Sequence, residues 1–116
     1  MNNSTAKKFQ KNLNGGLVGL VLLAVLERSD EDLYGYEIAK RLAGASEGCS
    51  LFKDGSIYPV LRQLSANELL TSRIVPSYSG PPRRYYRITP KGREVLAERK
   101  RIWQGTVAFV DRFVEP

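Results

Sequence analysis

Arg62 and Gln63 stand side by side near the end of the stretch Asp54-Gly55-Ser56-Ile57-Tyr58-Pro59-Val60-Leu61-Arg62-Gln63-Leu64. Their planar end groups present paired donors, or a donor beside an acceptor, at the spacing found on the edges of guanine and adenine. Ser56 and Tyr58 add hydroxyls at what reads as a helix N-terminus, a place where a phosphate oxygen is bonded readily. Arg83 and Arg84 follow the rigid turn Gly80-Pro81-Pro82 and supply two more cations. These groups hold a polyanion; they do not break bonds. The chain has no histidine and one cysteine, Cys49. An internal disulfide, a catalytic imidazole and a zinc site therefore lack their ligands. Neither a nucleophile with a base at motif spacing nor a phosphate-cradling glycine loop is visible, so an enzyme is set aside and no cofactor is expected.

Composition agrees with that chemistry. The 116 residues suffice for one small domain with an appendage. The 18 Lys plus Arg against 12 Asp plus Glu give a net charge of +6, which favours nucleic acid or an anionic membrane as partner. The longest apolar run, Leu17 to Leu26, is too short for a bilayer that requires about 20 residues, and no secretory cleavage site accompanies it. The expectation is a cytoplasmic, metal-free protein without a membrane partner.

The elements that would position these residues follow from periodicity. Residues 1–12 are polar and basic and read as a mobile arm or a loose first turn. Leu13, Leu17, Leu20, Val21, Ala24 and Val25 recur at three and four residues and mark a first helix, whose glycines 15, 16 and 19 would let another helix approach. Ser29-Asp30-Glu31-Asp32 interrupts, and a second helix is expected from about Leu33 to Ala43, with Tyr34, Ile38 and Leu42 inward and Tyr36, Glu37, Lys40 and Arg41 outward, closed by Gly44 and Gly48. The third helix, from about Gly55 to Asn67, buries Ile57, Val60, Leu61 and Leu64. Pro59 belongs in its first turn, because a proline has no N–H to donate further along. Leu70 to Val75 and Arg83 to Ile88 alternate as the strands of a hairpin around the turn at 76–82, with one of Tyr85 and Tyr86 in the core. Pro90 opens a last long helix.

Helix, helix, helix, hairpin, helix is the order of a winged helix-turn-helix followed by one extra helix, a mainly α (α+β) fold. In that architecture the third helix enters the DNA major groove and the hairpin lies on the backbone. The DNA-binding set is then Tyr36, Lys40, Lys53, Ser56, Tyr58, Pro59, Arg62, Gln63, Arg83 and Arg84. The wing arginines have a plainer reading too, as charges that blunt an exposed sheet edge. The sequence also resembles the PadR-type bacterial transcription regulators. The motifs are Tyr34-Gly35-Tyr36-Glu37-Ile38, Gly55-Ser56-Ile57-Tyr58-Pro59-Val60-Leu61, Gly80-Pro81-Pro82-Arg83-Arg84-Tyr85-Tyr86-Arg87-Ile88-Thr89 and Lys91-Gly92. They stand in the family's order and spacing over residues 17–103. The resemblance implies a homodimeric repressor of the short subclass, with residues 1–89 as the DNA-binding domain and 90–116 as the dimerisation helix. One departure is Ser65-Ala66-Asn67-Glu68-Leu69, where the family usually carries Glu-x-x-Gly; Asn67 is expected to take the left-handed turn.

The last helix carries Leu96, Arg99, Ile102, Trp103, Thr106, Phe109, Val110 and Phe113 in one stripe, too apolar for a monomer surface. With Leu17, Leu20 and Val21 of the first helix it forms the expected dimer interface. Trp103 is read first as packing, and otherwise as one wall of a site for a small hydrophobic or aromatic effector together with Leu13 and Leu17. Cys49 reads as an unreactive thiol. The leading function is a dimeric regulator of a palindromic double-stranded DNA operator. The alternative is a winged-helix module that binds protein instead, which would show no salt-dependent interaction with duplex DNA.

Overall fold

A computed structural model describes residues 3–45 and 57–116. Gly48, Cys49, Lys53, Asp54, Gly55 and Ser56 lie outside the described residues. The elements are α1 (Asn3–Arg28), β1 (Leu33–Tyr34), α2 (Gly35–Ala45), α3 (Ile57–Ala66), β2 (Leu70–Val75), β3 (Arg83–Ile88) and α4 (Pro90–Val114). This is the expected mainly helical winged helix with a small antiparallel sheet.

The core is aliphatic apart from Tyr86 and is drawn from every element, β2 contributing Leu70. Leu22, Leu23 and Leu26 of α1 meet Leu33 of β1, Ile38 and Leu42 of α2, Ile57, Leu61 and Leu64 of α3, Tyr86 and Ile88 of β3 and Leu96 of α4. By length and composition α1 would also cross a bilayer. Its apolar stripe instead supplies Val18, Leu22, Leu23 and Leu26 to this core, as expected of a helix at the centre of a small domain. Of residues 1–12, expected as a mobile arm or a loose first turn, residues 3–12 are the first turns of α1. Ala6, Lys7, Lys8, Gln10 and Lys11 among them are good helix formers and continue a helix already nucleated by packing further along. Gly19 faces α3: a Cβ there would stand 3.7 Å from Val60 Cγ1, while Gly15 and Gly16 have nothing within 4 Å.

The second helix starts later than its periodicity suggests. Leu33–Tyr34 pairs with β3 in the register Leu33↔Tyr86 and Tyr34↔Tyr85, giving a three-stranded sheet in the order β1-β3-β2 instead of a two-stranded hairpin. Two residues are too few to show alternation, so the strand is created by its partner. The Tyr34 N–H donates to Glu37 Oε1 at 3.1 Å, which caps the start of α2. Gly44, expected as a stop, lies inside α2. The hairpin itself has the expected strand limits, paired from Leu70↔Ile88 to Val75↔Arg83.

The turn after α3 corrects the expectation for Asn67. Glu68, the next residue, has the positive φ, 64°. The Leu69 N–H bonds the Leu64 carbonyl at 2.9 Å and the Glu68 N–H bonds that of Ser65 at 3.0 Å. This is the double bond of a helix end with a left-handed residue after it.

Thr89 then ties this turn to α4. Its N–H donates to the Leu69 carbonyl at 3.1 Å. Its hydroxyl donates to the Glu68 carbonyl at 2.7 Å and accepts from the Gly92 N–H at 2.9 Å. Gly92 must be glycine here, because a Cβ would collide with the Leu69 carbonyl oxygen and lie 2.8 Å from Ile88 Cγ1. The first turns of α4 are therefore part of the domain. Leu96, expected at a dimer interface, is 5% exposed inside the core of the single chain.

Candidate nucleic-acid interface

Helix α3 and the wing face each other across a cleft of about 640 Å3. Tyr58 and Arg62 come from α3, one turn apart on the flank that looks at the wing. Arg83, Arg84 and the turn residues Ser77, Ser79, Gly80, Pro81 and Pro82 form the opposite wall, and Tyr34, Gly35, Tyr36 and Tyr86 close the base. Gly35 makes that closure possible: a Cβ on it would stand 2.7 Å from Tyr58 Cε1, so the Tyr58 ring lies directly on the start of α2. Three arginines and no carboxylate stand among the described lining residues. Burial pushes the pKa of the Tyr86 hydroxyl up, and the nearby charges of Arg84 and Arg62 pull it back. The hydroxyl stays a neutral donor at physiological pH, and the cleft presents donors to a polyanion from several sides.

The wing's arginines are sorted by their partners. Arg73 and Arg87 both end on Asp32, at 3.1 Å and 2.6 Å. Their hydrogen bonds and charges, Arg87 first, hold the Asp32 carboxyl below its usual pKa. Arg84 reaches across the strand pair to Ser72 Oγ at 3.0 Å. The guanidinium carbon of Arg83 lies 4.6 Å from the centre of the Tyr34 ring. Tyr78, at the tip of the wing, is fully exposed.

The structure distributes the other expected contact residues widely. Pro59 is exposed in the first turn of α3, and Lys40 lies on α2 beside Tyr36, outside the cleft. Gln63 is exposed on the far flank of α3 from Arg62. It lines a second cavity, of about 420 Å3, between α1, α3 and α4. That cavity brings Leu17 and Trp103 together with Gly15, Gly16, Asn67 and Arg99. Leu13 is absent from its walls and is 44% exposed: it shares the face of Leu17 and Leu20 but lies about one turn further towards the N-terminal end of α1, past the cavity. Beyond Leu96, α4 is almost wholly exposed: Ile102, Trp103, Phe109, Val110 and Phe113 lie open to solvent, as does Phe9 on α1, and Phe109 and Phe113 pack on each other with ring centres 5.1 Å apart. Arg99 and Thr106 are exposed on the same stretch, whereas Leu17, Leu20 and Val21 are partly buried against the core.

Sequence reasoning missed Tyr34, Gly35, Tyr86 and the two serines of the wing as lining residues. The motif Tyr34-Gly35-Tyr36 held a signal for the first two, since a glycine at a helix start often marks a close approach. The approach of the wing to α2 had none, because it follows from the β1 to β3 pairing.

Comparison with known proteins agrees with this arrangement. The model of the transcriptional regulator PadR-like family matches residues 22–98. A PadR family transcriptional regulator from Eggerthella lenta is 29% identical, with 97% of this chain and 95% of that one covered and a TM-score of 0.78. A PadR-like transcriptional regulator from Bacillus cereus is 34% identical over 91% of this chain and 98% of its own, with a TM-score of 0.67. An uncharacterized protein of Lysinibacillus sphaericus is 29% identical over 103 residues, 89% of this chain and 92% of that one. The match of the family model across the core, the α3 helix and the wing means that this chain belongs to the PadR-like family of transcriptional regulators.

Proposed function

We propose that the protein is a homodimeric repressor acting in the cytoplasm on a palindromic operator in double-stranded DNA, and that a small hydrophobic or aromatic effector releases it. The observation that carries the DNA-binding mode is the meeting of Arg62 from α3 with Arg83 and Arg84 from the wing in one cleft with no carboxylate among its described lining residues. Helix α3 enters the major groove, where Arg62 and Gln63 on its two exposed flanks reach base edges, while the wing arginines contact phosphates. Tyr36, Tyr58, Lys40 and the residues just before α3, Lys53 and Ser56, add backbone contacts.

The dimer is supported by the apolar surface on the distal half of α4. Ile102, Phe109 and Phe113 are 60%, 57% and 71% exposed in one chain, a stripe that a second copy covers by two-fold contact. The effector reading is supported by the cavity that Trp103 shares with Leu17 and with Gln63 of the recognition helix. A planar molecule there touches α3 directly. Operator affinity changes only if the ligand favours one arrangement of α3 over another.

Anisotropy of labelled duplexes selected from a random pool, repeated across salt concentrations, tests the reading. A high-affinity duplex with a steep salt dependence is the expected result. A protein that shows no salt-dependent binding to any duplex is instead a protein-binding winged helix. Sedimentation at micromolar concentration gives a dimer, and a monomer overturns that part. Planar aromatic compounds titrated against Trp103 fluorescence weaken operator binding over the same concentration range, and Trp103→Ala abolishes that response.

A further inference from the structure

Four arginines of the wing strands end in three different ways. Arg73 and Arg87 give their charge to Asp32, and Arg84 bonds Ser72. Arg83 has no ion pair among the described residues and rests on the face of the Tyr34 ring, 4.6 Å from its centre. The difference matters chemically. A carboxylate partner consumes guanidinium donors and cancels the charge. An aromatic face attracts the cation through the ring quadrupole and leaves the N–H groups, which point outward in the guanidinium plane, free for a phosphate.

Tyr34 is itself held from several directions. Its backbone pairs with Tyr85, its ring stands 5.5 Å from that of Tyr85 and 6.2 Å from that of Tyr36, and its N–H is bonded to Glu37 at the start of α2. It therefore belongs to the helix-turn-helix and to the wing at once. We propose that Tyr34 is a positioning residue for DNA binding. Its ring holds the Arg83 guanidinium at the cleft with charge and donors free, and thereby fixes the wing's phosphate contact relative to Arg62 on α3. A solvated arginine spreads over many rotamers, and restricting them before DNA arrives removes part of the ordering cost of binding. This rests on the DNA-binding reading above.

A double-mutant cycle on duplex binding tests it. Arg83→Ala weakens binding to operator and random duplex alike and lowers the salt slope by about one unit; no change would defeat the reading of the wing itself. Given that loss, Tyr34→Leu weakens binding about two- to fivefold, as expected for an exposed cation–aromatic contact. In an Arg83→Ala background Tyr34→Leu has no further effect, and Tyr34→Phe, which keeps the ring, binds as the parent does. A full additional loss in the double variant, or a parent-like Tyr34→Leu, overturns the proposal while leaving the wing's role intact. A loss in Tyr34→Phe equal to that in Tyr34→Leu overturns it too, since the hydroxyl and not the ring would then matter. The unsubstituted protein gives a check that does not depend on a variant folding. The side-chain proton resonances of Arg83 are shifted upfield by the Tyr34 ring in the absence of DNA, and random-coil values there refute the stack.

Discussion

Replacing Gly92 with alanine should be among the most damaging single-methyl changes available in this protein. The added Cβ falls onto the carbonyl oxygen of Leu69 and within 2.8 Å of Ile88 Cγ1. The carbonyl cannot swing aside freely, because it accepts the Thr89 N–H at 3.1 Å, and the Thr89 hydroxyl, whose proton goes mainly to the Glu68 carbonyl at 2.7 Å, stands 3.1 Å from it. Accommodation therefore moves the first turn of α4 outward. Overpacking of this kind costs about 1–3 kcal/mol, and weakening the Thr89 bonds adds about 1 kcal/mol, so a loss of roughly 2–4 kcal/mol is expected. At about 4 °C per kcal/mol for a domain of this size, the melting temperature falls by about 8–16 °C. The comparison is Gly44→Ala on the exposed side of α2, where a Cβ meets nothing within 4 Å among the described residues. The same methyl gains about 0.5–1 kcal/mol there from helix propensity. Thermal unfolding followed by circular dichroism, at one fixed protomer concentration, reads both. A Gly92→Ala protein that melts within 2 °C of the parent, a shift of roughly half a kcal/mol, would refute the claim that the Leu69 carbonyl is immobile.

Glu68→Gly relieves a left-handed residue with φ 64° and should stabilise the protein by about 0.5–1 kcal/mol, the left-handed strain outweighing the added chain entropy; urea titration with an unchanged midpoint would show the strain to be absent. Asp32→Asn removes a carboxylate shared by Arg73 and Arg87 and should cost up to about 1 kcal/mol at pH 7, given the exposed arginines. Because the folded carboxyl titrates below its ordinary value, its contribution is complete above the unfolded pKa of about 4 and is lost as pH falls through the folded one. Melts from pH 7 to pH 2.5 should thus show parent and variant converging, and a constant gap counts against the ion pairs. Arg62→Ala should cost roughly 1–3 kcal/mol on the operator and relax the base preference at one position of each half-site, whereas Arg84→Ala should weaken all duplexes equally. Identical losses on operator and random DNA for Arg62→Ala would show that this flank of α3 does not read bases.

Amphipathic periodicity by itself determined that three helices precede a hairpin and a long helix follows, because burial of an apolar stripe depends on the spacing of residues along one helix. It also determined the limits of β2 and β3, where alternation over six residues and a proline-rich turn are local signals. The lack of histidine removed imidazole as a base or metal ligand, and the excess of cations pointed at a polyanion. Tertiary contact decided the rest. Leu33–Tyr34 is a strand only because β3 offers it a partner, and Glu68, not Asn67, turns left-handed because that residue follows the last hydrogen bonds of α3. Leu96 and Trp103 share one stripe in sequence, yet the clamp at Thr89 and Gly92 presses the first into the core and leaves the second 40% exposed. Arg62 and Gln63, adjacent in the chain, are sent to different cavities by the 100° between neighbours on a helix. Which cavity each meets depends on where the wing and α4 dock, and docking is settled by long-range packing that no local window of sequence contains.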